Sequence, residues 1–359
     1  MAFSYGNRLK LSIFGQSHSA AIGVTCEGLP AGVRIDFDAL SAFMARRAPG
    51  RNLTTPRSEK DAPVFLSGVT DGVTNGAPLT AVIYNENTRS KDYSELKIKP
   101  RPGHSDYPAA VKFDGHNDIA GGGQFSARLT APLCIIGGIV IEILKRQGIE
   151  ICAHIVNIGG AGDPPFDPVN EERALFADIK QNNIAVYDDA AAEKISAAVE
   201  QVRAAGDSIG GIVECKIVGL PVGLGNGGFG GLDGKIASAI FGVPAVKGID
   251  FGAGFSAGYL RGSENNDEYY FDENGNVKTY TNRAGGIVGG MSNGMPVIFR
   301  TAFKPTPSIA KAQRTVNLAT GQNDTLVIHG RHDPCVVLRA VPVVEAAAAI
   351  AVYDALPEH

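Results

Sequence analysis

Ser-Ala-Arg-Leu-Thr-Ala-Pro-Leu-Cys-Ile-Ile-Gly-Gly-Ile-Val-Ile-Glu-Ile-Leu-Lys-Arg-Gln (126–147) decides the fold class. Leu129, Leu133, Ile136, Val140, Ile143 and Leu144 recur at helical spacing, and the rest of the circumference is apolar as well. A helix apolar on every side is buried on every side. A second stretch, rich in alanine and valine, opens at Gly-Arg-His-Asp-Pro-Cys (330–335) and runs to Leu356. Helices without a polar face fit between sheets. Strand-like runs are available for those sheets around Gly15 and Gly23, at Pro63–Val69, Pro78–Tyr84, Gly211–Gly219 and Pro296–Phe303. Asp36 is placed to cap a shorter helix through Phe37, Leu40 and Met44, closed by Pro49-Gly50. Asp188–Ala205 reads as another helix, and residues 160–170, rich in Gly, Asp and Pro, as an exposed excursion. Glycine-rich turns at 121–123 and 284–294 precede similar apolar text, suggesting two pseudo-equivalent halves.

The chain has 359 residues, with 33 basic and 37 acidic side chains and a formal net charge of −4. That balance lacks the basic excess of a general nucleic-acid binder. Charged residues make up only 19% of the sequence, a shortage that predicts subunit interfaces. Cys26, Cys134, Cys152, Cys215 and Cys335 form no CxxC pair, so they read as small buried hydrophobes rather than as disulfides or metal ligands. The N-terminus lacks the order of a signal peptide, and no apolar run is read as reaching the ~20 residues needed to cross a bilayer. A cytoplasmic protein without membrane or nucleic-acid partners is expected.

Immediately upstream of the long helix, Arg-Pro-Gly-His-Ser-Asp-Tyr (101–107) is followed by Gly-Gly-Gly-Gln-Phe-Ser-Ala-Arg (121–128). Glycines before a helix let backbone N–H groups approach an anion. His104 is the candidate proton handler there. Gly-Gln-Ser-His-Ser (15–19) sets Ser17 and His18 on a turn, and His332 offers a third imidazole. For a lone histidine a hydrogen-bonded loop role is the simpler explanation; several on glycine-flanked loops favour chemistry. Arg46, Arg47, Arg51, Arg57, Arg101, Arg128 and Arg331 supply guanidinium forks for carboxylate or phosphate. Arg46 and Arg47 read equally well as the solvated end of a helix. Arg128 begins an apolar helix, where a cation needs an anion to meet it. Asp333 before Pro334 fits a helix N-cap. Lys304 near Thr306 and Ser308 could hold a phosphate, but no Walker or dinucleotide motif is present.

In this order, the segments Gly15–Gly32, Arg46–Arg57, Arg89–Tyr93, Arg101–Tyr107, Gly121–Arg128, 245–248, Ala284–Gly294, Lys304–Ser308 and Gly330–Pro342 resemble the chorismate synthase family along nearly the whole chain. The resemblance implies a single α+β domain over residues 1–359, a β-α-β sandwich with long helices between antiparallel sheets. It implies a homotetramer that eliminates phosphate from 5-enolpyruvylshikimate 3-phosphate to give chorismate, with reduced FMN and no net redox change. NADPH enters if flavin reduction is intrinsic.

The same resemblance assigns His18 to protonation of the leaving group, His104 to the flavin ring and Asp333 to loss of the C6 hydrogen. Ser17, Arg47, Arg51, Arg128 and Arg331 fall on the substrate side. Gln124, Phe125, Ser126, Pro244, Ala245, Gly289, Lys304, Pro305, Thr306, Pro307, Ser308 and again Arg331 fall on the cofactor side. Gln16, Ser19, Ala48, Ala120 and Gln124 depart from the commonest family pattern. Two other functions are compatible with the residues: an FMN-dependent oxidoreductase acting on an anionic small molecule, and a non-catalytic anion binder.

Overall fold

A computed structural model describes residues 3–50, 53–54, 61–85, 95–328 and 333–357. The chain opens with β1 (Ser4–Tyr5), β2 (Lys10–Gly15) and β3 (Ala21–Glu27), then α1 (Phe37–Arg47). Strands β4 (Val64–Ser67) and β5 (Leu79–Tyr84) complete a five-stranded antiparallel sheet in the order β1-β2-β3-β5-β4. Pairing Ile13 with Val24, and Val24 with Ala81, lines Ile22, Val24, Cys26 and Ala81 against the helices. The Asp36 carboxylate accepts from Ala39 N, so the expected N-cap is present.

After the short α2 (Asp106–Lys112) comes the long helix α3 (Thr130–Arg146), entered through a 3₁₀ turn at Ala127–Leu129. Strand β6 (Glu150–Ile158), α4 (Arg173–Gln181), α5 (Asp189–Ala204), β7 (Gly211–Val218), α6 (Leu232–Phe241), β8 (Val246–Phe251) and β9 (Val297–Phe303) follow. The second sheet is antiparallel in the order β8-β9-β7-β6. Its central row, Ala153, Cys215, Phe299 and Phe251, crosses all four strands. The last helix, α7 (Val337–Ala355), lies between this sheet and α3, with α1 and α6 beside it. One hydrophobic core runs through both sheets and the helices. The α+β sandwich with helices between antiparallel sheets is therefore as expected.

One expectation is refined and two change. Residues 160–170 are exposed at Gly160, Pro164, Pro165, Pro168 and Asn170, as expected of an excursion, but Asp163 and Phe166 turn inward and are buried, because this segment covers the outer face of the second sheet. There Asp163 meets His154, and Glu214 accepts from Phe166 N. Asp333 does not cap α7, which starts at Val337 after Val336. The segment Ala127–Arg146, 20 residues, is long and apolar enough to cross a membrane, contrary to the reading above. Here it is a core helix against α7 and the first sheet, which explains the same composition.

Close approach of α3 to α7 depends on one glycine. A Cβ on Gly137 would lie 2.2 Å from Ala346 Cβ and 2.5 Å from its Cα. Gly137→Ala gains about 1 kcal/mol of helix propensity but overpacks a core at a cost of about 1–3 kcal/mol. Net destabilisation is expected, read as a lower urea midpoint. Gly234→Ala in α6, with nothing within 4 Å of its Cβ position, should instead raise the midpoint. Equal behaviour of the two variants would contradict this packing.

Candidate active site

Gly121, Gly122 and Gly123 all have positive φ (60°, 88° and 53°), a run that side chains resist. Their surroundings show a second requirement for glycine. A Cβ on Gly121 would sit 2.2 Å from His18 Cε1 and 2.6 Å from Ser17 Oγ. A Cβ on Gly122 would sit 3.1 Å from His104 Nε2 and 3.6 Å from Ser126 Cβ. The two imidazoles thus stand against adjacent glycines of one turn. Ser17 N donates to Gly123 O at 3.1 Å and locks the first loop to the triplet.

The His104 loop is fixed by charge. His104 Nδ1 lies 2.6 Å from Asp106 Oδ1, and Arg101 grips the same carboxylate through Nε (2.7 Å) and Nη2 (2.8 Å). Burial alone would raise the Asp106 pKa, yet hydrogen bonds from Arg101 and His104 hold it well below the usual carboxylate range.

The 304–308 loop closes on this group. Lys304 Nζ donates to Gly103 O at 2.9 Å, and Arg101 Nη1 reaches Ser308 Oγ at 3.3 Å. Pro307 lies beside Gly103. Lys304 N donates to Ala245 O, whose residue holds a left-handed φ of 74°. Burial, and then the charge of Lys247, push the Lys304 ammonium's pKa down. Thr306 Oγ1 donates to Asp333 O at 2.6 Å, while Pro305 packs against Gly210.

Asp333 belongs to a cavity lined also by Arg47, Ala127, Thr130, Pro244 and Arg339. Its carboxylate pairs with Arg339 Nη1 at 2.6 Å, and Arg339 Nε donates to Arg47 O. Arg47 and Arg128 converge on a single acid that the sequence did not single out. Asp61 Oδ2 accepts from Arg47 Nη1, and Oδ1 from Arg128 Nη1, both at 2.7 Å. Arg47 also donates to Thr130 Oγ1 and Ala127 O, and Arg128 to Asn85 Oδ1. Burial, then repulsion from Arg339, pushes the Arg47 pKa down to about 10 against the attraction of Asp61. Arg46 and Arg47 are therefore not a solvated helix end. Arg46 turns inward to Glu345, a fully buried acid on α7, at 2.6 Å.

Ser17, His18, His104, Gln124, Phe125, Ser126, Pro244, Ala245, Lys304–Ser308, Arg47, Arg128 and Asp333 are thus tied to one connected group of loops. Gly289 is not among them. It sits on an exposed turn that bonds, through Gly290 O, to Leu232 N at the start of α6. Arg51, Arg331 and His332 lie outside the described residues, as do Arg57 and Arg89. Asp61, Asp106 and Arg339 are the participants that sequence reading passed over. Asp106 had the best available signal, standing two residues after a candidate histidine.

A sequence profile of the chorismate synthase family matches residues 9–356. The chain belongs to the chorismate synthase family. A chorismate synthase of Lancefieldella parvula is 46% identical, with 99% of this chain and 96% of that protein covered. One of Thermococcus gammatolerans is 44% identical over 98% and 96%. A crystal structure of chorismate synthase superposes with a TM-score of 0.75 at 25% identity, covering 98% of this chain and 92% of that one. Membership makes the chain a carbon–oxygen lyase of the shikimate pathway acting on a small molecule.

In this chorismate synthase-family fold the Asp61 clamp has a measurable consequence. Removing one partner of a buried ionic group typically costs about 3–5 kcal/mol. Asp61→Asn leaves two buried guanidinium groups without their shared anion, so its unfolding free energy should fall by about that amount. An unchanged urea midpoint would show that neither arginine depends on it.

Proposed function

We propose that this chain converts 5-enolpyruvylshikimate 3-phosphate to chorismate by 1,4-elimination of phosphate, with reduced FMN as cofactor. Family membership supports the reaction. The observation that carries the site assignment is the pair of imidazoles standing against Gly121 and Gly122.

The residues suit a flavin. A Cβ on Gly121 would collide with His18 and one on Gly122 would crowd His104, so a flat ring could reach the two imidazoles only with both positions bare. Lys304, half-buried and repelled by Lys247, would be relieved by an anionic tail, with Thr306 and Ser308 at hand. When bound, reduced FMN supplies electron density to the substrate's double-bond system and is not consumed.

The chain's own groups do the rest. His18 would give a proton to the departing phosphate oxygen. His104 presents Nε2 to the glycine turn and would meet the flavin ring. Asp333, held by Arg339 at the cavity wall, is the carboxylate that assists loss of the C6 hydrogen. Arg47 and Arg128, with Arg51 and Arg331, would neutralise the phosphate and the two carboxylates. Asp61 is their internal counter-anion in this structure, so substrate binding has to share or displace it. Ser17 and Ser126 would hydrogen-bond substrate or flavin, and Gln124, Phe125, Pro244, Ala245, Pro305 and Pro307 would wall the flavin.

Of the expected cofactor residues that are described, Gly289 stands apart on its exposed turn. A homotetramer supports its inclusion, because a neighbouring subunit could present this turn. Exposed Phe229, Phe255, Tyr259, Tyr269 and Phe271 in the same half of the chain favour such an assembly. The continuous core supports one domain over residues 1–359. The cytoplasm suits five buried free cysteines; burial pushes the Cys335 thiol up to about 11.

Anaerobic incubation with the enolpyruvyl substrate and chemically reduced FMN should release phosphate and form chorismate. His104→Ala should lower that turnover at least about a hundredfold. Undiminished turnover in the variant would remove His104 from the site. Turnover with oxidised FMN plus NADPH would assign flavin reduction to this chain. Stoichiometric NADPH consumption with a reduced organic product would replace the lyase by an oxidoreductase.

A further inference from the structure

We propose that Asp106 is a positioning residue: it holds the His104 ring in the tautomer that carries hydrogen on Nδ1, so that Nε2 is the nitrogen offered to the glycine turn. The proposal rests on the reading of His104 as a site residue.

Asp106 is buried, and neither oxygen is idle. Oδ2 accepts from Arg101 Nε (2.7 Å) and from Arg101 N (3.1 Å). Oδ1 accepts from Arg101 Nη2 (2.8 Å) and lies 2.6 Å from His104 Nδ1. Strong hydrogen bonding from Arg101 and His104 overcomes burial and keeps this carboxyl ionised, its pKa well below the ordinary range. An ionised carboxylate only accepts hydrogen bonds. A 2.6 Å contact to Nδ1 therefore requires hydrogen on Nδ1. Arg101 Nη2, 3.2 Å from Nδ1, is a donor as well, and an Nδ1 that carries hydrogen has no lone pair with which to accept from it. The two donors instead converge on Oδ1. Ser105 Oγ, at 3.4 Å, is the more distant neighbour.

At the other end of the ring, Nε2 faces Gly122, 3.1 Å from the position a Cβ would take. With Nδ1 committed, Nε2 carries the lone pair in the neutral ring and the exchangeable proton in the charged one. The bond at one imidazole nitrogen thus sets the function of the other. Asp106 does not itself line the turn; it acts through His104. The fork of Arg101 fixes the carboxylate's plane, and Arg101 Nη1 extends the same chain of contacts to Ser308.

The test uses full-length protein with ¹⁵N-labelled histidine, with and without FMN, read by magic-angle-spinning NMR. His104→Ala identifies the His104 signals. Under alkaline conditions the wild-type ring should show a protonated Nδ1 and an unprotonated Nε2. Asp106→Asn should populate the opposite tautomer, because an amide can donate to Nδ1. It should also lower kcat by about tenfold to a hundredfold while KM for the substrate changes little. Asp106→Glu should recover part of the lost kcat. A wild-type ring with hydrogen on Nε2 overturns the proposal without recourse to any variant. So does a folded Asp106→Asn with unchanged tautomer and unchanged kcat. Full turnover in His104→Ala would strike the role of His104 instead, and the tautomer measurement in flavin-free protein would still decide the action of Asp106.

Discussion

The site depends on one stretch of backbone that has room for no side chains. Gly121–Gly123 turns through three successive positive-φ conformations; His18 takes the space of a Cβ on Gly121, and His104 crowds that of a Cβ on Gly122. Steric exclusion, more than flexibility, is what the triplet contributes. It brings two histidines separated by 86 positions in sequence to one surface. The long helix that follows, buried between the sheets, anchors the turn. The turn is thereby a fixed feature of the core and not a free loop.

Around this turn the chain places charge where burial makes charge costly. Arg46 meets Glu345, Arg47 and Arg128 share Asp61, Arg101 grips Asp106, and Arg339 holds Asp333. Pairs of this kind add little net stability over apolar packing, yet removing one partner is severe. Their value here is geometric. Arg47, Asp333 and Arg339 are fixed at the wall of one cavity, and Arg101 and Asp106 beside one imidazole. A trianionic substrate would enter a field already prepared for negative charge.

The sheets and the buried helices could be read from the sequence because their signals are local: helical spacing without a polar face, and short apolar runs between glycines. Asp36 capped its helix for the same reason. Asp61 could not be read, since nothing near it in sequence indicates that two arginines from other segments will reach it. The partner of Arg128 was predicted as a necessity but not as a residue. Asp333 was misread as a cap because the Asp-Pro pair satisfies a local rule, and a longer-range ion pair with Arg339 prevailed. The 160–170 segment is exposed as read, but its polar composition conceals Asp163 and Phe166, which turn in against the outer face of the second sheet.

The central claim is that an unobstructed glycine turn holds both imidazoles at the reacting centre. Gly121→Ala tests it most directly. The left-handed conformation costs an alanine about 1–2 kcal/mol, which a folded domain can absorb, while the added methyl must displace His18. Phosphate release should be measured anaerobically with reduced FMN, beside a urea titration of the same preparation. The account predicts a folded protein whose turnover falls to the level of His18→Ala. A folded Gly121→Ala variant with wild-type turnover would contradict it.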